Sequence, residues 1–196
     1  MIFSYRHATA LAVALLVNVD VGCGTAVAAG QRSFVSTSGS DNPACSVGFP
    51  CRTFGAAVTA TSPSGEVIVL DSGGYGPVTI TQSISIIAAP GVYAGVSVAS
   101  GAGINITTAS TDSVTLRGLT INNTGSGTHG IGFFGDGRLQ VDDVNVSGFS
   151  VEGLIFTPAT GGDLVVQRSS FFGNGWGIVV TPTGTAKAVI DRVATH

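Results

Sequence analysis

Val114-Thr115-Leu116-Arg117-Gly118-Leu119-Thr120-Ile121 decides the fold, because the same pattern returns at a fixed interval. It recurs as Leu139-Gln140-Val141-Asp142-Asp143-Val144-Asn145-Val146, then as Leu164-Val165-Val166-Gln167-Arg168-Ser169-Ser170-Phe171. A fourth copy opens at Ala188-Val189-Ile190-Asp191-Arg192-Val193, and the first residues are spaced 25, 25 and 24 apart. Each copy reads as two short strands of alternating polarity with a two-residue break between them.

A second signature falls between the copies, a glycine followed by alternating apolar residues. It is seen in Gly103-Ile104-Asn105-Ile106, Gly130-Ile131-Gly132-Phe133, Gly153-Leu154-Ile155-Phe156 and Gly177-Ile178-Val179-Val180. The glycines are 27, 23 and 24 residues apart. A period therefore holds three strands and three turns, with no room for the crossover helix of a βαβ unit.

The arrangement that fits is a solenoid in which each strand pairs with its equivalent about 4.8 Å away in the next coil. Predicted inward residues of one coil are Ile131, Phe133, Leu139, Val141, Val144 and Val146. Burying each contributes roughly 1.5–3 kcal/mol. Ordering costs about 1–2 kcal/mol per residue, so only stacked coils become stable. The leading glycines are expected at sharp corners with positive φ.

Upstream, Val78-Thr79-Ile80, Ile84-Ser85-Ile86 and Val96-Ser97-Val98 continue the pattern, and Glu66–Leu70 reads as the first strand, fully buried. Before it, Thr53 is placed to cap a short helix with Phe54, Ala57 and Val58 on one face, ended by Pro63. Such a helix would cover the apolar interior and the unpaired edge of the first coil.

The first residues read as an address. Arg6 and His7 precede an apolar run from Ala8 to Val19, and Ala26-Val27-Ala28-Ala29 offers cleavage after Ala28 or Ala29. The run is too short to span a bilayer, and the mature chain is expected to have no transmembrane segment. A lipid anchor on Cys23 is disfavoured by Asp20. The expected organisation is a signal peptide over 1–28, a cap over 29–65 and coils over 66–196. Export leaves Cys45 and Cys51 in an oxidising compartment, which favours a bridge over free thiols or half a metal site. The location is then secreted or periplasmic.

Ser40-Asp41-Asn42-Pro43-Ala44-Cys45, Pro50-Cys51-Arg52-Thr53-Phe54, Glu66-Val67-Ile68-Val69-Leu70 and Gly74-Tyr75 together resemble the opening of exported bacterial right-handed parallel β-helix repeat proteins of the pectin-lyase-like superfamily. The resemblance implies an all-β, right-handed parallel β-helix of three sheets with a short N-terminal capping helix. In that family the glycine-led strand forms the first sheet, and the paired segment forms the second and third. The tight turns are then Arg117-Gly118, Asp142-Asp143, Gln167-Arg168 and Asp191-Arg192. The superfamily contains lyases, hydrolases and adhesins, so the fold by itself implies no activity.

Candidate sites follow from this frame. Asp142 and Asp143 between Arg117 and Arg168 read as an exposed ion-pair ladder on a convex turn. The polygalacturonase motif order fails: Gly127-Thr128-His129-Gly130 precedes Asp142-Asp143, and Ser110-Thr111-Asp112 is a poor first motif. The outward first-sheet residues Asn105, Gly132, Ile155 and Val179 offer no acid or base. The residues before the leading glycines are Ala102, His129, Glu152 and Trp176. His129, Glu152 and Trp176 would stack in one line, an acid–base pair beside an aromatic, and form the candidate ligand site.

The chain carries a net charge of −3 with Lys187 as its only lysine, which excludes the basic footprint of a nucleic-acid binder. No metal site or cofactor is expected. Val193–His196 ends within a coil, which suggests a shortened family member or self-association through the uncapped C-terminal coil. The favoured function is a non-catalytic secreted or periplasmic β-helix associated with polysaccharide or the cell surface. The alternatives are a polysaccharide lyase or glycoside hydrolase-like protein with an incomplete site, and an adhesion or self-assembly module.

Overall fold

The computed structural model describes residues 30–195, and they form a parallel β-solenoid with one short helix. The predicted signal peptide and Cys23 lie outside the described residues. With strands numbered along the chain, the second sheet contains β1 (Gly30–Val35), β2 (Thr61–Val69), β5 (Ile84–Ala88), β7 (Ser113–Arg117), β9 (Gly137–Asp142), β12 (Gly161–Gln167) and β15 (Thr185–Asp191), hydrogen-bonded in that order. The remaining strands are β3 (Gly73–Gly74), β4 (Val78–Ile80), β6 (Ala94–Ile106), β8 (Leu119–Phe133), β10 (Asn145–Ser147), β11 (Glu152–Phe156), β13 (Ser170–Phe172), β14 (Trp176–Val180) and β16 (Ala194–Thr195).

The stacking follows the repeat. Ile86 pairs with Leu116, Leu116 with Val141, Val141 with Val166, and Val166 with Ile190. Ile131, Phe133, Leu139, Val141, Val144 and Val146 are all fully buried, as the alternation requires. Phe133 and Phe156 stack inside the shaft with ring centroids 4.6 Å apart.

Five expectations need correction. The third and first sheets are joined into one nine-stranded sheet, because β6 and β8 run unbroken through the corner and pair there at Ser100–Ser126 and Gly101–Gly127. The corner in β8 is two residues longer than that in β6, which accounts for the 27-residue spacing. Next, the leading glycines are not at positive φ. A Cβ on Gly130 would lie 2.2 Å from the Val146 side chain and 2.6 Å from the Gly153 carbonyl, and Gly103 and Gly153 are equally confined. Close packing, not backbone strain, demands glycine there. Positive φ falls instead on the tight turns, at Gly118, Asp143, Arg168 and Arg192.

The other three corrections concern the N-terminal end. β1 pairs with β2 and adds a rung inside the predicted cap. The strand Glu66–Leu70 alternates rather than being fully buried, and Leu70 is exposed. The helix α1 (Phe54–Ala60) is capped by Thr53, whose side chain accepts the Ala56 amide, and it buries Phe54, Ala57, Val58 and Ala60. It ends at Thr61, before Pro63, where the Thr61 hydroxyl lies 2.7 Å from both the Ala57 carbonyl and the Ser33 hydroxyl. The helix covers the interior, but the disulfide loop covers the edge: the Cys51 amide donates to Phe34, and Phe34 and Ser36 donate to Cys45 and Cys51. Cys45 and Cys51 are joined by a disulfide with Cα atoms 4.8 Å apart, so neither is a free thiol or a metal ligand.

Two carboxylates tie this end together. Asp41 accepts the Arg52 and Thr53 amides and the Thr53 hydroxyl. Partial burial opposes its ionisation, but these donors prevail and hold its pKa below the ordinary value. Asp71 accepts the Tyr75 hydroxyl, the Thr37 amide and the Ser36 hydroxyl, and the Tyr75 bond first among them lowers its pKa to about 2. Burial, then the Asp71 bond, pushes Tyr75 upward.

Candidate functional site

The line of residues ahead of the leading glycines is in register. Ala102 pairs with His129, His129 with Glu152, and Glu152 with Trp176. Glu152 and Trp176 begin β11 and β14, while Ala102 and His129 lie at the matching places inside β6 and β8, so the regular step between coils brings distant sequence positions into one column. His129 Nδ1 and Glu152 Oε2 are 2.5 Å apart, with side chains 24% and 12% exposed. A carboxylate on Nδ1 accepts the ring N–H there and leaves Nε2 of that tautomer as a hydrogen-bond acceptor. Trp176, by contrast, is 66% exposed.

Sequence reasoning missed Phe134, the residue that completes this surface. Gly132 alternates with the inward Ile131 and Phe133 and so presents its bare backbone outward. The Phe134 ring folds back into that space, and a Cβ on Gly132 would meet the ring at 2.4 Å. The ring lies edge-on to His129 with centroids 5.9 Å apart, and Phe134 stays 42% exposed. The only sequence signal was a glycine at an outward strand position followed two residues later by an aromatic.

The outer first-sheet surface thus carries two columns. One is polar, with His129, Glu152 and the indole of Trp176; the other is apolar, with Phe134 over Gly132, then Ile155 and Val179 in neighbouring coils. An aromatic plate beside fixed hydrogen-bonding groups suits a flat ligand with one apolar face and a polar rim.

The tight-turn charges differ from the exposed ladder expected of them. Asp142 is buried, with Arg117 Nε at 3.2 Å and Arg168 Nη2 at 2.5 Å, while Asp143 turns outward. A buried carboxylate held between two guanidiniums is a structural ion pair. Asp112, Asp142 and His129, tested above for a polygalacturonase arrangement, belong to a second-sheet turn, a tight turn and the first sheet respectively. They do not converge.

Among the described residues, no group of three or more His, Cys, Asp or Glu side chains is arranged to hold a metal, and no helix is long and apolar enough to cross a membrane. No protein-family model matches the chain, and no match is found among curated proteins or solved structures. Fold and site together define a parallel β-solenoid with an aromatic and polar ladder on one face.

Proposed function

We propose that this protein is an exported, non-catalytic β-helix of the pectin-lyase-like kind that binds carbohydrate on its outer first-sheet surface. The observation that carries the reading is the Phe134 ring seated on Gly132 beside the His129–Glu152 pair, with Trp176 exposed in the same column. Exposed aromatic rings offer a plate to the C–H face of a sugar, and the His129–Glu152 pair offers fixed partners to its hydroxyls. Export is supported by the apolar N-terminal run and by a disulfide, which persists in oxidising compartments.

A glycan array tests the reading. The protein is expected to retain at least one polysaccharide, and Trp176→Ala or Phe134→Ala to weaken that retention about tenfold, the equivalent of ~1.4 kcal/mol. An unchanged array after both substitutions, with the circular dichroism spectrum preserved, removes the proposal. The short His129–Glu152 contact favours a second reading, a lyase or hydrolase with an incomplete site, since an oriented imidazole is a general base. Release of reducing ends or unsaturated uronides, abolished by His129→Ala, would establish that activity.

A further inference from the structure

Building on the carbohydrate-binding reading, we infer that the ligand of this surface is an uncharged, extended glycan laid parallel to the solenoid axis, and not a uronide. Both columns run along the axis, one residue per coil. A sugar chain in that direction presses its C–H faces on Phe134, Ile155 and Val179 while its hydroxyl rim meets His129 and Glu152. Phe134 and Trp176 belong to coils two rungs apart, about 10 Å at the usual strand spacing. That is close to the length of a disaccharide step in an extended chain.

Charge selects the class of sugar. Ala102, His129, Glu152 and Trp176 in one column, with Gly132, Phe134, Ile155 and Val179 beside them, include one carboxylate and no lysine or arginine. A uronide carboxylate on this surface meets Glu152 with no lysine or arginine to offset the repulsion. The same absence removes nucleic acid, whose affinity comes from neutralising phosphates. A peptide adding as a strand needs an unpaired edge, and β8 and β11 at the centre are hydrogen-bonded on both sides.

Isothermal titration of the protein with cellohexaose, xylohexaose, mannohexaose and hexagalacturonate tests this. One neutral hexasaccharide is expected to bind at least about tenfold more tightly than hexagalacturonate. Its affinity should barely change with added salt and should fall with Trp176→Ala. Glu152→Gln is expected to improve hexagalacturonate binding. Hexagalacturonate binding as tightly as the neutral sugars, weakened by salt and by Trp176→Ala, overturns this inference and leaves carbohydrate binding standing. If none of these sugars and no glycan on the array binds, both readings fall.

Discussion

Ile86 and Ile190 are the same residue in the same inward column, yet Ile86 is fully buried and Ile190 is 52% exposed. Between them Leu116, Val141 and Val166 are all buried. The difference lies in what covers each coil. On the N-terminal side Phe54 and Ala57 of α1 close the shaft, and the disulfide loop pairs with β1. In the last described coil Ile178 and Val180 are only partly buried and Ala188 is open. Burial in a solenoid is therefore a property of neighbouring coils, and an identical side chain contributes according to its place in the stack.

Matched substitutions break or sharpen that contrast. Ile86→Ala is expected to cost about 2–5 kcal/mol, because the core closes only partly around a deleted side chain. Ile190→Ala is expected to cost under about 1 kcal/mol, since half of that surface is already in water. Urea unfolding of both variants measures the difference, and equal losses would mean that Ile190 is covered in solution. Cys51→Ala comes next, at about 2 kcal/mol for so small a loop. Its loss should appear first as faster amide exchange in β1, whose edge the loop pairs.

Acid supplies a gentler test of the same end. Asp71 has a folded pKa of about 2 against roughly 3.9 in an unfolded chain. Its stabilisation is therefore complete above about pH 4 and disappears as the pH falls through 2. Asp41 is shifted in the same direction. Amide protection near Thr37 and Thr53, taken relative to intrinsic exchange at each pH, should thus fall between pH 4 and 2, and Asp71→Asn should remove the Asp71 share of that dependence. A flat profile in the parent protein would show that these bonds do not hold the cap.

The repeat makes the stacking legible in the sequence, because an apolar column recurring every two dozen residues admits few other arrangements. β1 was not legible, since of its two inward residues, Ser33 and Val35, the first is a buried serine bonded to Thr61 rather than apolar. A hydroxyl at an inward site hides a strand from hydrophobic alternation. The glycine column was visible, but its cause was misread, since close approach and positive φ leave the same letter in a sequence. The alignment of His129, Glu152 and Trp176 could be counted out from the period. The Phe134 plate could not, because it depends on a side chain folding back beyond the end of its strand.

The smallest expected effect concerns the tight turns, where glycine occurs once in four equivalent places. Gly118, Asp143, Arg168 and Arg192 share a left-handed backbone, with φ of 72°, 56°, 48° and 52°. That conformation strains residues with a Cβ by roughly 1–2 kcal/mol, least for Asp and Asn. Arg168 has a compensating role on Asp142, but the Asp143 side chain is exposed and has no such contact with the two arginines. Asp143→Gly should therefore stabilise the protein by about 0.5 kcal/mol, after part of the gain is lost to the freer unfolded chain. Arg168→Gly should instead destabilise it, because Asp142 would keep only Arg117. If the thermal midpoint rose for both variants, backbone strain and not the buried ion pair would govern this turn.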